Sequence, residues 1–224
     1  MIHRYRRGPT RRATIRYERG GEEFGRVLAF SDGLFAIAMT LLVVGIDVPK
    51  LVDQDSVGEL WDAFGDLIPN FVSFFISFAV IGRYWVAHHE FIGRLKAMDN
   101  GLIGLNLIFL AFVAFLPFPT ALLGNYFENP LSVASYALIV AICSLMEVVM
   151  FRHAHRRGLM SDDMPEAVFR FGAIASIAPV LFFTISVPLA FWHTGVAVAS
   201  WYLVVPFEAL VLERFRPDGA DEFY

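Results

Sequence analysis

Apolar runs long enough to cross a bilayer recur along this chain and leave little over for a water-soluble core. A hydrocarbon layer of roughly 30 Å takes about 20 apolar residues per helix. Six stretches meet that need: 26–48, 64–87, 98–118, 132–151, 168–190 and 196–213. Hydrophobic residues make up 57% of the 224 and charged residues 18%, outside the balance of an ordinary soluble domain. The fold class read from this pattern is all-α, a polytopic membrane protein with six transmembrane helices. A basic tail over 1–24 precedes a six-helix domain over 25–213, and an acidic tail over 214–224 follows. The first run is too long for a signal-peptide core and lacks a small-residue cleavage site after it, so it reads as a retained span. Any function must be built from the helices, which excludes most soluble enzyme classes.

Basic residues set the orientation. Arg4, Arg6, Arg7, Arg11, Arg12, Arg16 and Arg19 precede the first run, Arg94 and Lys96 follow the second, Arg152, Arg156 and Arg157 follow the fourth, and Arg214 and Arg216 follow the sixth. All four clusters fall on one side, while the opposite loops carry Asp47, Asp53, Asp55, Asp62, Asp66 and Glu128, with Lys50 as their only Lys or Arg. The positive-inside rule then places both termini in the cytoplasm. The basic N-terminal tail beside a membrane points to anionic lipid as a partner, not to nucleic acid. Cys143 is the only cysteine and lies inside the fourth run, so it is read as packing, with no internal disulfide and no cysteine metal cage. Pro117 and Pro119 are read as closing the third helix, and Pro179, Pro188 and Pro206 as kinks.

The first run, "RVLAFSDGLFAIAMTLLVVGIDVP", opens on polar groups. An ionisable side chain inside a span costs about 3 kcal/mol on insertion scales, so Asp32 must be paired or wet and is a functional candidate. Arg26 lies six residues earlier and cannot face it along one helix. Suitable partners at similar depth are Trp85 and His88 in "RYWVAHHE" and Asn106 in the third run. Two readings fit Ser31 and Asp32, one purely structural and one in gating. Ile37, Thr40, Leu41 and Val44 share one stripe, and Asp32 is displaced from Ile37 by roughly 140°. On periodicity alone that stripe faces lipid or core. Arg26 projects within about 20° of Ile37, so it faces either a pore mouth or a polar network.

"RVLAFSD" fits R-x-x-x-F-S-D and resembles the hallmark that opens the first helix of the transmembrane protein 175 family of potassium channels, whose single-repeat members are prokaryotic. "GRYWVAHHE" and "NLIFLAFVAFLPFPTALLG" are similar to the family as well. The resemblance implies a homotetramer in the cell (inner) membrane, with the first helix of each subunit lining a central pore. It implies a constriction at Ile37, with Val44 and Leu41 as further apolar residues on that stripe, and a potassium preference at Thr40. It also implies that Arg26, Phe30, Ser31 and Asp32 anchor the helix through a polar network with Trp85, His88 and Asn106. The function so implied is a potassium-permeable cation channel with modest preference over sodium, taking no cofactor. Neither a T-V-G-Y-G filter nor an arginine array of the voltage-sensing kind is present in the sequence.

Three alternatives fit parts of the same sequence. A proton-coupled carrier would use Asp32, Glu147 and Glu208 as relays, but the last two lie near cytoplasmic ends, where snorkelling or pairing with arginine accounts for them. An enzyme would need Ser31 as a nucleophile beside His88, or His88, His89 and Glu90 as metal ligands. Adjacent histidines cannot share a helix face, and neither HExxH nor GxSxG occurs, so no metal site or enzyme is expected. His153 and His155, in an Arg-rich turn, read as solvated charge. A purely structural membrane protein is the third.

Overall fold

The computed structural model describes residues 16–161 and 177–215. Residues 1–15 of the N-terminal tail and 216–224 of the C-terminal tail, the opening of the fifth run at 168–176 and the side chain of Glu208 lie outside the described residues. Among the described residues, four helical spans are long and apolar enough to cross a membrane: Glu22–Val44, Ile68–Gly93, Asn100–Asn125 and Pro130–Arg156. A shorter apolar helix covers Ile177–Trp192.

The first span is helix α1 (Glu22–Val44), which begins four residues before the sequence-predicted start because Glu22 and Glu23 occupy its first turn, where carboxylates suit the helix dipole. Helix α2 (Val57–Asp66) starts at Ser56, whose side chain accepts from the Glu59 amide, while the Glu59 carboxylate takes the Val52 and Asp53 amides at 2.7 and 3.0 Å. Those two bonds lower the Glu59 pKa from its ordinary value. Helix α3 (Ile68–Gly93) carries a proline in its first turn, where a missing N–H costs nothing.

The third span differs from the sequence expectation. Helix α4 (Asn100–Phe115) does not end the crossing at Pro117, because helix α5 (Pro117–Asn125) resumes at once and the span runs to Asn125. Leu116 keeps right-handed helical dihedrals, and Pro117 and Pro119 fall in the first turn of the new segment. That is the position where proline interrupts the hydrogen-bond ladder without turning the chain away.

Helix α6 (Pro130–Arg156) is capped by Asn129 and packs against α4 and α5 and against helix α7 (Ile177–Trp192). The chain then breaks into α8 (Thr194–Trp201) and α9 (Val204–Phe215), so the sixth run is two short helices. Polar side chains bridge the bundle interior. Tyr84 donates to the Val140 carbonyl at 2.8 Å, Ser77 to the Tyr136 hydroxyl at 3.1 Å, Thr120 to Ser77 at 2.8 Å and Trp201 to Ser186 at 3.0 Å. Each of these hydroxyls and the indole therefore has a partner, as a low-dielectric interior demands.

The helices are joined at their basic end by structure that an all-α reading did not anticipate. Strand β1 (Arg16–Glu18) pairs antiparallel with β2 (Ala97–Asp99), Arg16 opposite Asp99. Beyond them, Lys96 donates its amide to the Leu159 carbonyl at 2.9 Å and Ser161 to the Arg94 carbonyl at 2.9 Å. The chain before α1, the α3–α4 connection and the segment after α6 thus form one hydrogen-bonded buckle. Only Arg19, Gly20 and Gly21 separate β1 from α1, with Gly20 at φ +89°, a conformation that suits glycine.

Candidate functional site

Helix α1 is divided lengthwise. Phe24, Ser31, Phe35, Ala38 and Leu42 are buried against α3 and α4, and they fall within an arc opposite Ile37 on an ideal helix. The other face is bare: Ile37 is 59% exposed, Leu41 44% and Val44 71%. Thr40 is exposed on the same side and donates its hydroxyl to the Ile37 carbonyl at 2.9 Å. Its proton is thereby committed to the backbone, which leaves the Oγ1 lone pairs for an outside partner. Phe30 is also exposed and projects about 20° from Ile37, so it belongs to this face and not to the packed one.

Behind the bare face, three polar side chains form a directional chain. Asn106 on α4 donates its amide to Ser31 Oγ at 3.0 Å, and Ser31 donates to the Val27 carbonyl at 2.9 Å. Asn106 Oδ1 is 2.8 Å from His88 Nε2. With the amide nitrogen facing Ser31, that oxygen accepts, so Nε2 carries the proton. His88 is 1% exposed, and its ring lies stacked on Phe109 at 5.8 Å and tilted against Phe35 at 5.4 Å. Ser31 is held by Asn106 and Val27 and has no contact with His88 of the kind a nucleophile needs from its base.

Asp32 makes a separate bond at the edge of the site. Trp85 Nε1 donates to Asp32 Oδ1 at 3.0 Å, with the indole ring 5.7 Å from His89. Arg26 joins neither group: its Nη1 sits 3.2 Å from Glu23 Oε1, with both side chains open to the outside. The structure therefore brings Ser31, His88 and Asn106 together and pairs Asp32 with Trp85. It leaves Arg26 and Phe30 on the bare face beside Ile37, Thr40, Leu41 and Val44.

Two features escaped the sequence. Glu23 is the partner of Arg26, and its i, i+3 spacing in the first turn was the available signal. His153 is not merely solvated charge: its Nε2 is 2.9 Å from Asp99 Oδ1, and Arg157 Nε donates to Oδ2 at 3.1 Å. Asp99 is 2% exposed and also caps α4 by accepting the Leu102 amide at 2.8 Å. Burial pushes its pKa up, but the Leu102 amide, His153 and Arg157 outweigh it and hold the carboxyl below its ordinary value. Among the described residues, no group of three His, Cys, Asp or Glu stands together as a metal-ligand set.

Residues 26–117 match the family model described as endosomal/lysosomal potassium channel TMEM175. A potassium channel of Streptomyces collinus is 40% identical over 149 residues, covering 65% of this chain and 71% of that protein. The crystal structure of a lysosomal potassium-selective channel TMEM175 homolog from Chamaesiphon minutus superposes with a TM-score of 0.68 at 31% identity, over 84% of this chain and 97% of that one. The potassium channel MtTMEM175 shares the fold at a TM-score of 0.62 and 21% identity, over 83% of this chain and 90% of that one.

Proposed function

The chain belongs to the TMEM175 family of ion channels, which are not enzymes, and from that membership we propose that it is a potassium-permeable cation channel of modest selectivity. Four copies assemble in the inner membrane of a prokaryotic cell, each contributing six helices, with the tails at 1–24 and 214–224 in the cytoplasm. The first helix of each copy lines the path, and no cofactor takes part. Anionic lipid is the partner of the basic N-terminal tail.

The observation that carries this reading is the lengthwise division of α1. A helix whose back is buried and hydrogen-bonded has a fixed rotation, so its bare stripe of Ile37, Leu41 and Val44 is presented to one direction. Four such stripes around an axis make an apolar constriction. Isoleucine side chains cannot replace the water around a cation, so a narrow setting dewets and blocks while a wider one passes partly hydrated ions. Thr40, one turn from Ile37, adds four hydroxyl oxygens, a thin source of preference compared with a carbonyl-lined filter. The Ser31–Asn106–His88 chain and the Asp32–Trp85 pair hold the helix that carries the constriction.

Reconstituted protein is the test, with unitary current and reversal potential recorded between potassium and sodium solutions. Resolved currents reversing towards the potassium potential are expected, and Ile37→Asn is expected to raise the leak by wetting the constriction. Unchanged permeability for Ile37→Asn in an assembled protein would remove Ile37 from the path.

A further inference from the structure

A cation path with an arginine on its line needs something to offset that charge. Arg26 projects about 20° from Ile37 and is 69% exposed, so it is not folded back into the protein. Asp32, the carboxylate of its own motif, is bonded to Trp85. Glu23 is the residue that meets it, with Oε1 at 3.2 Å and 58% of its side chain exposed. Glu23 projects about 40° to the other side of the Ile37 line, and Glu22 in the same turn about 60° off it. One turn of α1 therefore presents two carboxylates and one guanidinium where the bare face meets the basic end of the bundle.

We propose that Glu23 is a conductance-determining residue, setting the sign of the electrostatic potential at the mouth of the path on the basic side. This rests on the channel reading above. With Glu23 present, each copy contributes one net negative charge from Glu22, Glu23 and Arg26. Without it the turn is neutral, and arginines at the mouth are no longer outweighed. An exposed pair of this kind contributes little to folding stability, but the potential it leaves at a narrow mouth alters local cation concentration and arrival rate. The buckle of Arg16, Arg94, Lys96, Arg152, Arg156 and Arg157 borders the same end, with Arg94 paired to Glu90 and Arg157 to Asp99, so the Glu23 turn is a net negative step on an end where cationic side chains outnumber carboxylates.

Salt separates this role from a structural one. The Debye length is ~30 Å at 0.01 M ionic strength and ~3 Å at 1 M. Single-channel current carried from the basic side should fall about threefold or more in Glu23→Gln at roughly 0.01 M salt and by less than about 1.5-fold at 1 M. Arg26→Gln should move the same ratio the opposite way. The double variant restores the net charge of the turn and should recover the wild-type salt dependence, whatever its absolute conductance.

Currents through Glu23→Gln equal to wild type at low salt would overturn the proposal. A reduction that is the same at both salt concentrations would also overturn it, as would a double variant whose salt dependence stays with that of Glu23→Gln. Should Glu23→Gln not assemble, Arg26→Gln alone still decides, since an unchanged salt ratio there rejects the charge mechanism. Absence of any wild-type current removes the channel reading itself, an outcome distinct from normal wild-type current that is indifferent to Glu23.

Discussion

Asn106 donates its side-chain amide to Ser31 across 3.0 Å, and this one bond fixes the direction of every other bond in the buried group behind α1. The amide's orientation makes Oδ1 the acceptor for His88, and Ser31 is left to donate to Val27. Because Ser31, His88 and Asn106 are all buried, the loss of one member strands the others.

Asn106→Leu should therefore cost about 1–3 kcal/mol for each polar group left unsatisfied. A Trp85→Phe change should cost less, about 0.5–1.5 kcal/mol, because Asp32 is only half-buried, Trp85 is exposed and water can replace the indole N–H. Thermal unfolding of the two purified variants measures this order. A larger loss for Trp85→Phe would show that the edge pair, not the buried chain, holds α1.

The glycine at 124 predicts a second contrast. A Cβ there would lie 2.8 Å from Asn70 Nδ2, 2.8 Å from Ser73 Oγ and 2.9 Å from the Asn70 Cα, the last being backbone that cannot swing away. Asn70 is also tied to Asn125 at 3.1 Å, which fixes how α5 crosses α3. Gly124→Ala should destabilise by about 1–3 kcal/mol through overpacking. Gly104→Ala, inside α4 with nothing within 4 Å of the added atom, should be neutral or stabilising by up to about 1 kcal/mol. The same unfolding assay on both variants checks the pair.

These two cases also mark what the sequence carried. Asp32, Trp85, His88 and Asn106 stood out because polar side chains are expensive at membrane depth, a cost readable from one chain without any fold. The bare stripe of α1 was legible only as a periodicity, since exposure is settled by what packs on the opposite face. Pro117 does close α4 but not the crossing, a distinction hidden in the sequence because proline in a first turn and proline after a last turn look alike until the dihedrals of Leu116 are known. Asp99 was invisible for a different reason. A carboxylate in a short connection between helices reads as ordinary surface charge, and its partners lie 54 and 58 residues away.

Asp99 gives a pH prediction with a definite sign. Its folded-state pKa is depressed below the ordinary 3.8, so its contribution is fully present above about that pH and is lost as pH falls through the lower folded value. Asp99→Asn keeps an acceptor for the Leu102 amide but loses the charge facing His153 and Arg157. The stability difference between wild type and this variant should close as pH falls below about pH 4, through the lowered carboxyl pKa. A gap that widens in acid would mean the carboxylate is not held ionised by its neighbours. Asp99→Ala should lose a further ~1 kcal/mol at every pH, since the cap of α4 goes as well.

Thr40 supplies the sharpest test of how the proposed path distinguishes ions. Its hydroxyl proton is bound to the Ile37 carbonyl at 2.9 Å, so what it offers outward is oxygen lone pairs, and valine has the same shape without them. Thr40→Val should keep the constriction apolar and assembled while moving the reversal potential between potassium and sodium solutions towards zero. Thr40→Ser, which retains the oxygen and loses only a methyl group, should stay near the wild-type reversal. If the valine variant reverses where wild type does, the preference arises from the width of the apolar ring at Ile37. The Ile37→Ala variant, which widens that ring without adding a polar atom, would then be the one to shift it.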